Sequence, residues 1–269
     1  MNNQKFNLHT HTLRCGHAQG LDVQYIESAI DAGFELLGFS EHIPYIEMRL
    51  PACRMFYEHK DEYFSSLRKL QKEYSESIDI KIGFEIEYLD SHIDYIKEMA
   101  QQCDYMILGQ HLKNMQYEYD CYCSDNDVLE YTSQIEKALK TGLITYIAHP
   151  DYFMLGRRDF SAVCIDATHR IAQACLDSDT PLEINLNGFH YGKKSFVDKV
   201  DSNGEIEYKE CYPYPFRDFW EIIASYGCKV VFGYDAHSPI TLLEKNREKF
   251  ALDILKGISL NFIDSIELK

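Results

Sequence analysis

The chain has 269 residues, 45% apolar and 26% charged, which is long enough to bury a full core and has the balance of a globular protein. A formal net charge of −16 excludes the basic face that nucleic acid or an anionic membrane needs, and no apolar run approaches the ~20 residues that cross a bilayer. Residues Met1 to Lys5 lack the basic-then-apolar layout of an export signal, and the nine cysteines, an odd count with no Cys-x-x-Cys pair, read as reduced thiols of a cytoplasmic protein.

Short apolar or β-branched runs alternate with longer amphipathic stretches, a pattern that predicts βα units and a parallel sheet. A first strand from Phe6 to Thr10 runs into His9-Thr10-His11, with His17 just beyond. Asp22 then reads as an N-cap, Val23, Ile26 and Ile30 recur at helical spacing, and Gly33 is a stop. The second strand, Leu36 to Glu41, ends in Glu41-His42; the third, Ile80 to Ile86, carries Glu85-Ile86-Glu87; the fourth, Tyr105 to Gln110, leads to His111. Val128, Tyr131, Ile135 and Leu139 predict a helix that stops at Gly142, before a fifth strand, Ile144 to His149, which delivers His149-Pro150-Asp151. The sixth, Pro181 to Leu186, leads to Asn185-Leu186-Asn187. A helix through Phe216, Phe219, Ile223 and Tyr226 stops at Gly227, and the seventh strand, Lys229 to Gly233, precedes Asp235-Ala236-His237. Seven strand–helix units spread over residues 1–269 predict one domain, a closed barrel one unit short of the usual eight. An open doubly wound sheet is the alternative, although no Gly-x-Gly-x-x-Gly follows the first strand to give it a dinucleotide site.

Every expected strand thus delivers a polar or metal-binding group at its C-terminal end, where barrel enzymes carry their sites. Alternate residues of a strand share a face, so His9 and His11 can reach one ion together, and Asp235-x-His237 repeats that spacing on the last strand, beside the first. Of the eleven histidines, His59, His92, His169 and His190 fall in helices or loops, where a lone histidine is usually hydrogen-bonded or incidental. The other seven converge on one barrel mouth, where neutral imidazoles would run out of partners, so the set reads as metal ligands. Cys15, beside the first histidines, is the cysteine nearest this chemistry.

At these residues the chain resembles the PHP (polymerase and histidinol phosphatase) superfamily, and within it the histidinol-phosphate phosphatases. The matching pieces are His9-Thr10-His11, Cys15-Gly16-His17-Ala18, Gly38-Phe39-Ser40-Glu41-His42, Gly83-Phe84-Glu85, Gly109-Gln110-His111, Ala148-His149-Pro150-Asp151, Glu183-Ile184-Asn185 and Asp235-Ala236-His237, in the family's order across almost the whole chain. The resemblance implies a distorted (β/α)7 TIM-like barrel and three divalent ions. It assigns His9, His11, Glu85 and Asp235 to the first ion, His17, His42 and His237 to the second, and Glu85, His111 and His149 to the third, with Glu85 as the bridge. Mixed imidazole and carboxylate ligation suits Zn, Mn or Fe.

The reaction so implied is hydrolysis of a small phosphomonoester, with L-histidinol phosphate of histidine biosynthesis as the favoured substrate. Ions sharing Glu85 would lower the pKa of a shared water, and Asp235 or His237 would help pass a proton to the leaving alcohol. Arg157 and Arg158 are expected to hold phosphate through a guanidinium fork, with Lys193 and Lys194 where the family often has a second arginine. Glu41, Glu87, Asp151 and Asn187 are available to the amino and imidazole groups of the substrate, and the aromatic stretch from Tyr212 to Trp220 reads as core or as pocket wall. The competing readings are a family member acting on a sugar phosphate or nucleotide, a non-catalytic metal-binding regulatory domain, and an amidohydrolase bridging its ions through Lys113.

Overall fold

A computed structural model describes residues 3–48 and 53–269; Met1 and Asn2, part of the segment read for an export signal, lie outside the described residues. Twelve strands and seven α-helices follow one another along it. They are β1 (Phe6–Asn7), α1 (Asp22–Asp31), β2 (Leu36–His42), α2 (Lys60–Glu73), β3 (Asp79–Ile86), α3 (Ile93–Ala100) and β4 (Tyr105–Leu108). Next come β5 (Leu112–Asn114), β6 (Tyr117–Glu118), α4 (Asp125–Lys140), β7 (Tyr146–Ile147), α5 (Ala162–Ser178), β8 (Leu182–Asn185), β9 (Lys194–Val200) and β10 (Ile206–Cys211). The last are α6 (Arg217–Tyr226), β11 (Lys229–Gly233), α7 (Asn246–Ile254) and β12 (Asn261–Phe262).

Eight strands form one parallel sheet in the order β1-β2-β3-β4-β7-β8-β11-β12. All seven expected strands are in it; the first, fourth, fifth and sixth are shorter than expected. The sheet curls until its ends meet, and the closure is mixed. The upper part of the β11 segment pairs with the continuation of β1 through His11 N–H to Ala236 O (3.0 Å) and Ala236 N–H to His9 O (3.1 Å). Lower down, β12 occupies the edge of β11, with Val230 opposite Phe262. Between them side chains replace the ladder: Gln4 Nε2 donates to Phe232 O (2.7 Å), and Asn7 Oδ1 accepts from Tyr234 N–H (3.0 Å). This is the distorted seven-unit barrel, its eighth strand a short splint.

Two apolar layers hold it. Phe6, Leu8, Tyr105, Ile107, Tyr146, Ala148 and Val231 come from the strands and the residues just past their ends and plug the barrel, with Ile263, Ile266 and Leu268 against them. The larger layer lies between strands and helices, where α4 buries Val128, Tyr131, Ile135 and Leu139 and α6 buries Phe219, Trp220 and Ile223. The sequence places the N-cap of α1 one residue late. Leu21 holds that position, its N–H donating to the Gln24 side chain (2.8 Å), while Asp22 begins the helix and pairs with Arg14 (2.8 Å). The periodicity also passed over the antiparallel hairpins β5–β6, whose strands are three and two residues long, and β9–β10, whose strands are charged and largely unburied. All nine cysteines are free, and among the described residues no helix is long and apolar enough to cross a membrane.

Candidate metal centre

Glu85, near the end of β3, lies at the middle of the cluster. Its Oε1 is 2.8 Å from His149 Nε2 and 3.5 Å from both His111 Nε2 and His9 Nε2. Its Oε2 is 3.0 Å from His42 Nδ1 and 3.4 Å from His11 Nε2. Asp235 Oδ1 forms a second focus, 3.1 Å from His11 Nε2, 3.5 Å from His9 Nε2 and 3.3 Å from His237 Nδ1. His237 Nε2 in turn faces His17 Nε2 at 2.9 Å. The ligand atoms fall into overlapping groups within 4.8 Å: His9, His11 and Asp235; His9, Glu85 and His149; His42, Glu85 and His111; His11, His42 and His237; and Cys15, His17 and His237. All nine residues that the resemblance assigns to metal belong to these groups. Cys15 joins them at the edge, its buried Sγ accepting from Ala18 N–H (3.2 Å).

Whether the residues fit divalent ions is tested by their unmet bonding. His9 Nε2, His11 Nε2, His42 Nδ1, Glu85 Oε2 and Asp235 Oδ1 are buried without a hydrogen-bond partner. Buried polar atoms are normally paired, and five orphans aimed at one small volume are what a set of cations would satisfy.

The opposite side of three of the rings faces a buried carboxylate. Glu183 accepts from His9 Nδ1 (2.9 Å), Glu87 from His111 Nδ1 (3.1 Å), and Glu41 lies 3.5 Å from His11 Nδ1 while accepting from Thr12 N–H (3.1 Å). Such partners fix ring orientation and tautomer and leave the other nitrogen for metal. Two glycines make room. A Cβ at Gly109 would run into the Glu85 carboxylate, and one at Gly233 into that of Glu183. Backbone strain concentrates here as well: among the described residues three non-glycines have positive φ, and two of them are His149 (29°) and Asp235 (45°).

Electrostatics agree. Burial opposes charge on Glu85 and Asp235, yet the imidazoles around them hold both carboxyls well below the usual range. Burial and the charge of His11 push His42 down to about 3 and His237 down to about 4, so both are neutral donors. Burial lowers His11, yet the carboxylates of Asp235, Glu41 and Glu85 around it outweigh that and push it up to about 9. The negative charge that draws a proton to this spot would equally draw a divalent cation.

Above the cluster opens a cavity of about 500 Å³ lined in part by His17, His42, His149, Asp235 and His237. Of the expected substrate contacts only Asn187 lines it, its Nδ2 3.4 Å from Asp235 Oδ2. Arg157 is turned away: its guanidinium donates to Cys123 O (2.9 Å) and pairs with Asp159 (2.7 Å) and Asp125 (2.9 Å), anchoring the loop after β7. Arg158 is exposed outside the cavity, its carbonyl accepting from Val197 N–H (2.8 Å). Lys193 lies over the Tyr212 ring (5.9 Å), and Lys194 donates to Leu155 O (3.0 Å). Glu41 acts beneath His11, and Asp151 is occupied by Phe216 N–H (2.7 Å) and Trp220 Nε1 (3.0 Å). Lys113 is tied to Tyr122 O (2.6 Å) and Asp127 (3.0 Å), so it does not bridge the cluster.

The rim holds residues that sequence reasoning missed: Arg54 after β2, Glu118 and Asp120 on the β5–β6 hairpin, and His190 and Tyr191 in the turn Gly188–Tyr191. Within the aromatic stretch Tyr214 faces the cavity, 6.0 Å from Tyr152 and 5.7 Å from Tyr191 between ring centroids, while Trp220 is core.

A parallel barrel with imidazoles and carboxylates clustered at the C-terminal ends of its strands belongs to the class of multi-metal barrel proteins. The PHP domain model matches residues 7–187, and the chain belongs to the PHP family. A Deinococcus radiodurans protein named "Probable histidinol-phosphatase" is 25% identical over 241 residues, covering 86% of this chain and 85% of that one. The histidinol-phosphatase of Bacillus subtilis is 28% identical over 128 residues, 44% of this chain and 48% of that protein. The structure of histidinol phosphate phosphatase from Lactococcus lactis, solved with zinc, L-histidinol and phosphate, has the same fold, with a TM-score of 0.68 at 18% identity over 98% of this chain and 99% of that one.

Proposed function

We propose that the chain is a metal-dependent phosphomonoesterase that hydrolyses a small phosphate ester of a cationic alcohol, with L-histidinol phosphate as the favoured substrate. The observation that carries this reading is the convergence of orphaned, buried ligand atoms on Glu85 and Asp235 beneath an open cavity. His9, His11, Glu85 and Asp235 would hold one ion, His17, His42 and His237 a second, and Glu85, His111 and His149 a third. Bound divalent ions, Zn, Mn or Fe, would polarise the phosphate oxygens and acidify the attacking water. The chain's own part is positional. Glu183, Glu41 and Glu87 hold the rings in place, and Asp235, with Oδ2 toward Asn187, is the carboxylate we assign to proton handling near the leaving alcohol, with His237 beside it.

The rim supports a cationic substrate. Glu118 and Asp120 complement an ammonium or imidazolium group, and Tyr152, Tyr191 and Tyr214 offer faces to a flat ring. A sugar phosphate or nucleotide would leave that acidic wall unpaired, and a regulatory domain has no need of it. Nine free cysteines fit a reducing compartment, and we place the protein in the cytoplasm. Steady-state phosphate release by the metal-loaded chain tests the substrate. The expected result is a kcat/KM for L-histidinol phosphate about 100-fold above those for aryl and sugar phosphates. Equal, slow rates on all three would favour the broader phosphatase reading, and no turnover by a metal-loaded chain would favour the regulatory one.

A further inference from the structure

We infer that Arg54 grips the phosphoryl group through the side edge of its guanidinium, an assignment that rests on the phosphatase reading. Among the described residues Arg54 is the one lysine or arginine lining the metal cavity, whose walls otherwise carry Glu118, Asp120 and the carboxylates of the cluster. A dianionic phosphate entering a chain of net charge −16 needs a fixed cation beside the ions, and Arg54 is placed to be it.

Its hydrogen bonds show which edge is available. A guanidinium has five N–H groups in one plane. Nη1 donates to Ile43 O (3.0 Å) and Glu87 Oε2 (3.2 Å), and Nη2 donates to Glu87 Oε1 (2.9 Å), so the end of the fork is spent on Glu87. Nε is buried and has no partner. The unspent groups are therefore Nε–H and the second hydrogen of Nη2, which point the same way from one edge, spaced for two oxygens of a phosphate. The side chain is buried to 6% exposure and lies over the Tyr45 ring at 5.5 Å, so the fork is rigid. Glu87 also accepts from His111 Nδ1 (3.1 Å), and this one carboxylate sets the distance between the arginine and a metal ligand. The competing role for Arg54 is neutralisation of buried Glu87 and nothing more.

The test uses the metal-loaded full chain and reads equilibrium binding of inorganic phosphate by calorimetry, metal content by elemental analysis, and KM and kcat for L-histidinol phosphate. Arg54→Lys keeps the charge and loses the fork. It is expected to retain full metal, bind phosphate about tenfold more weakly or worse, and raise KM in parallel. Arg54→Met combined with Glu87→Gln buries no unpaired charge, and it is expected to bind phosphate at least about tenfold more weakly than Glu87→Gln alone. Phosphate binding within about twofold of wild type in Arg54→Lys, or equal binding by the double variant and Glu87→Gln, overturns the inference and leaves the phosphatase reading standing. Loss of metal in Arg54→Lys also overturns it, in favour of a structural role. A metal-loaded wild-type chain that binds no phosphate refutes the phosphatase reading and this inference with it.

Discussion

The floor of the cavity and its rim are built by different means. On the floor, most ligands stand at or just past the end of a parallel strand, and three are braced from behind by a buried carboxylate: Glu183 behind His9, Glu41 behind His11, Glu87 behind His111. On the rim, Arg54, Glu118, Asp120 and His190 come from a loop, a two-residue strand, the residues after it and a short turn; Arg54 alone of these is buried and tied down, while Glu118, Asp120 and His190 are more open to solvent. A braced floor keeps ions in fixed geometry, whereas a rim on loops sets which substrate fits without disturbing the metals. Substitutions should separate the two, floor changes reducing metal content and rim changes reducing selectivity.

The largest effect is expected on the floor. Glu85→Gln removes the carboxylate whose oxygens lie within 3.5 Å of five imidazoles, those of His9, His11, His42, His111 and His149, and turnover should fall by at least about 10³-fold together with bound metal, as elemental analysis and a phosphate-release assay would show. Next come changes that replace no ligand. Glu183→Gln loosens His9, and Gly109→Ala pushes a methyl into Glu85; each should cost about 10–100-fold in metal affinity or activity, read by competition with a chelator. On the rim, Glu118→Gln with Asp120→Asn should leave metal content intact and raise KM for L-histidinol phosphate about fivefold while leaving aryl phosphate hydrolysis unchanged. An equal loss on both substrates would erase the distinction between floor and rim. Smallest in activity is Arg157→Met. With its guanidinium spent on Cys123 O and Asp159, kcat/KM should stay within about twofold of wild type while stability falls by about 1–3 kcal/mol in denaturant unfolding.

The same division explains what could be read in the sequence. Strand alternation fixes where His9 and His11 point, and strand ends place Glu85, His149 and Asp235, so the barrel and its metal floor follow from spacing. The rim has no period. Arg54 lies in a loop with no motif around it, and the single hint on the β5–β6 hairpin is the alternation Tyr117-Glu118-Tyr119-Asp120, which buries Tyr119 and turns the acids toward the cavity. Arg157 looked suited to phosphate from its place after a strand; that Cys123 O and Asp159 occupy it is a tertiary fact no local pattern encodes. Closure by Gln4 and Asn7 side chains, in place of a full ladder, was hidden for the same reason.

Elemental analysis of the purified chain after loading with Zn or Mn and removal of excess ion tests the central claim most directly. The account predicts three divalent ions per chain, reduced in Glu85→Gln and unchanged in Arg157→Met. A wild-type chain that retains none, or that holds its full complement without Glu85, would contradict it.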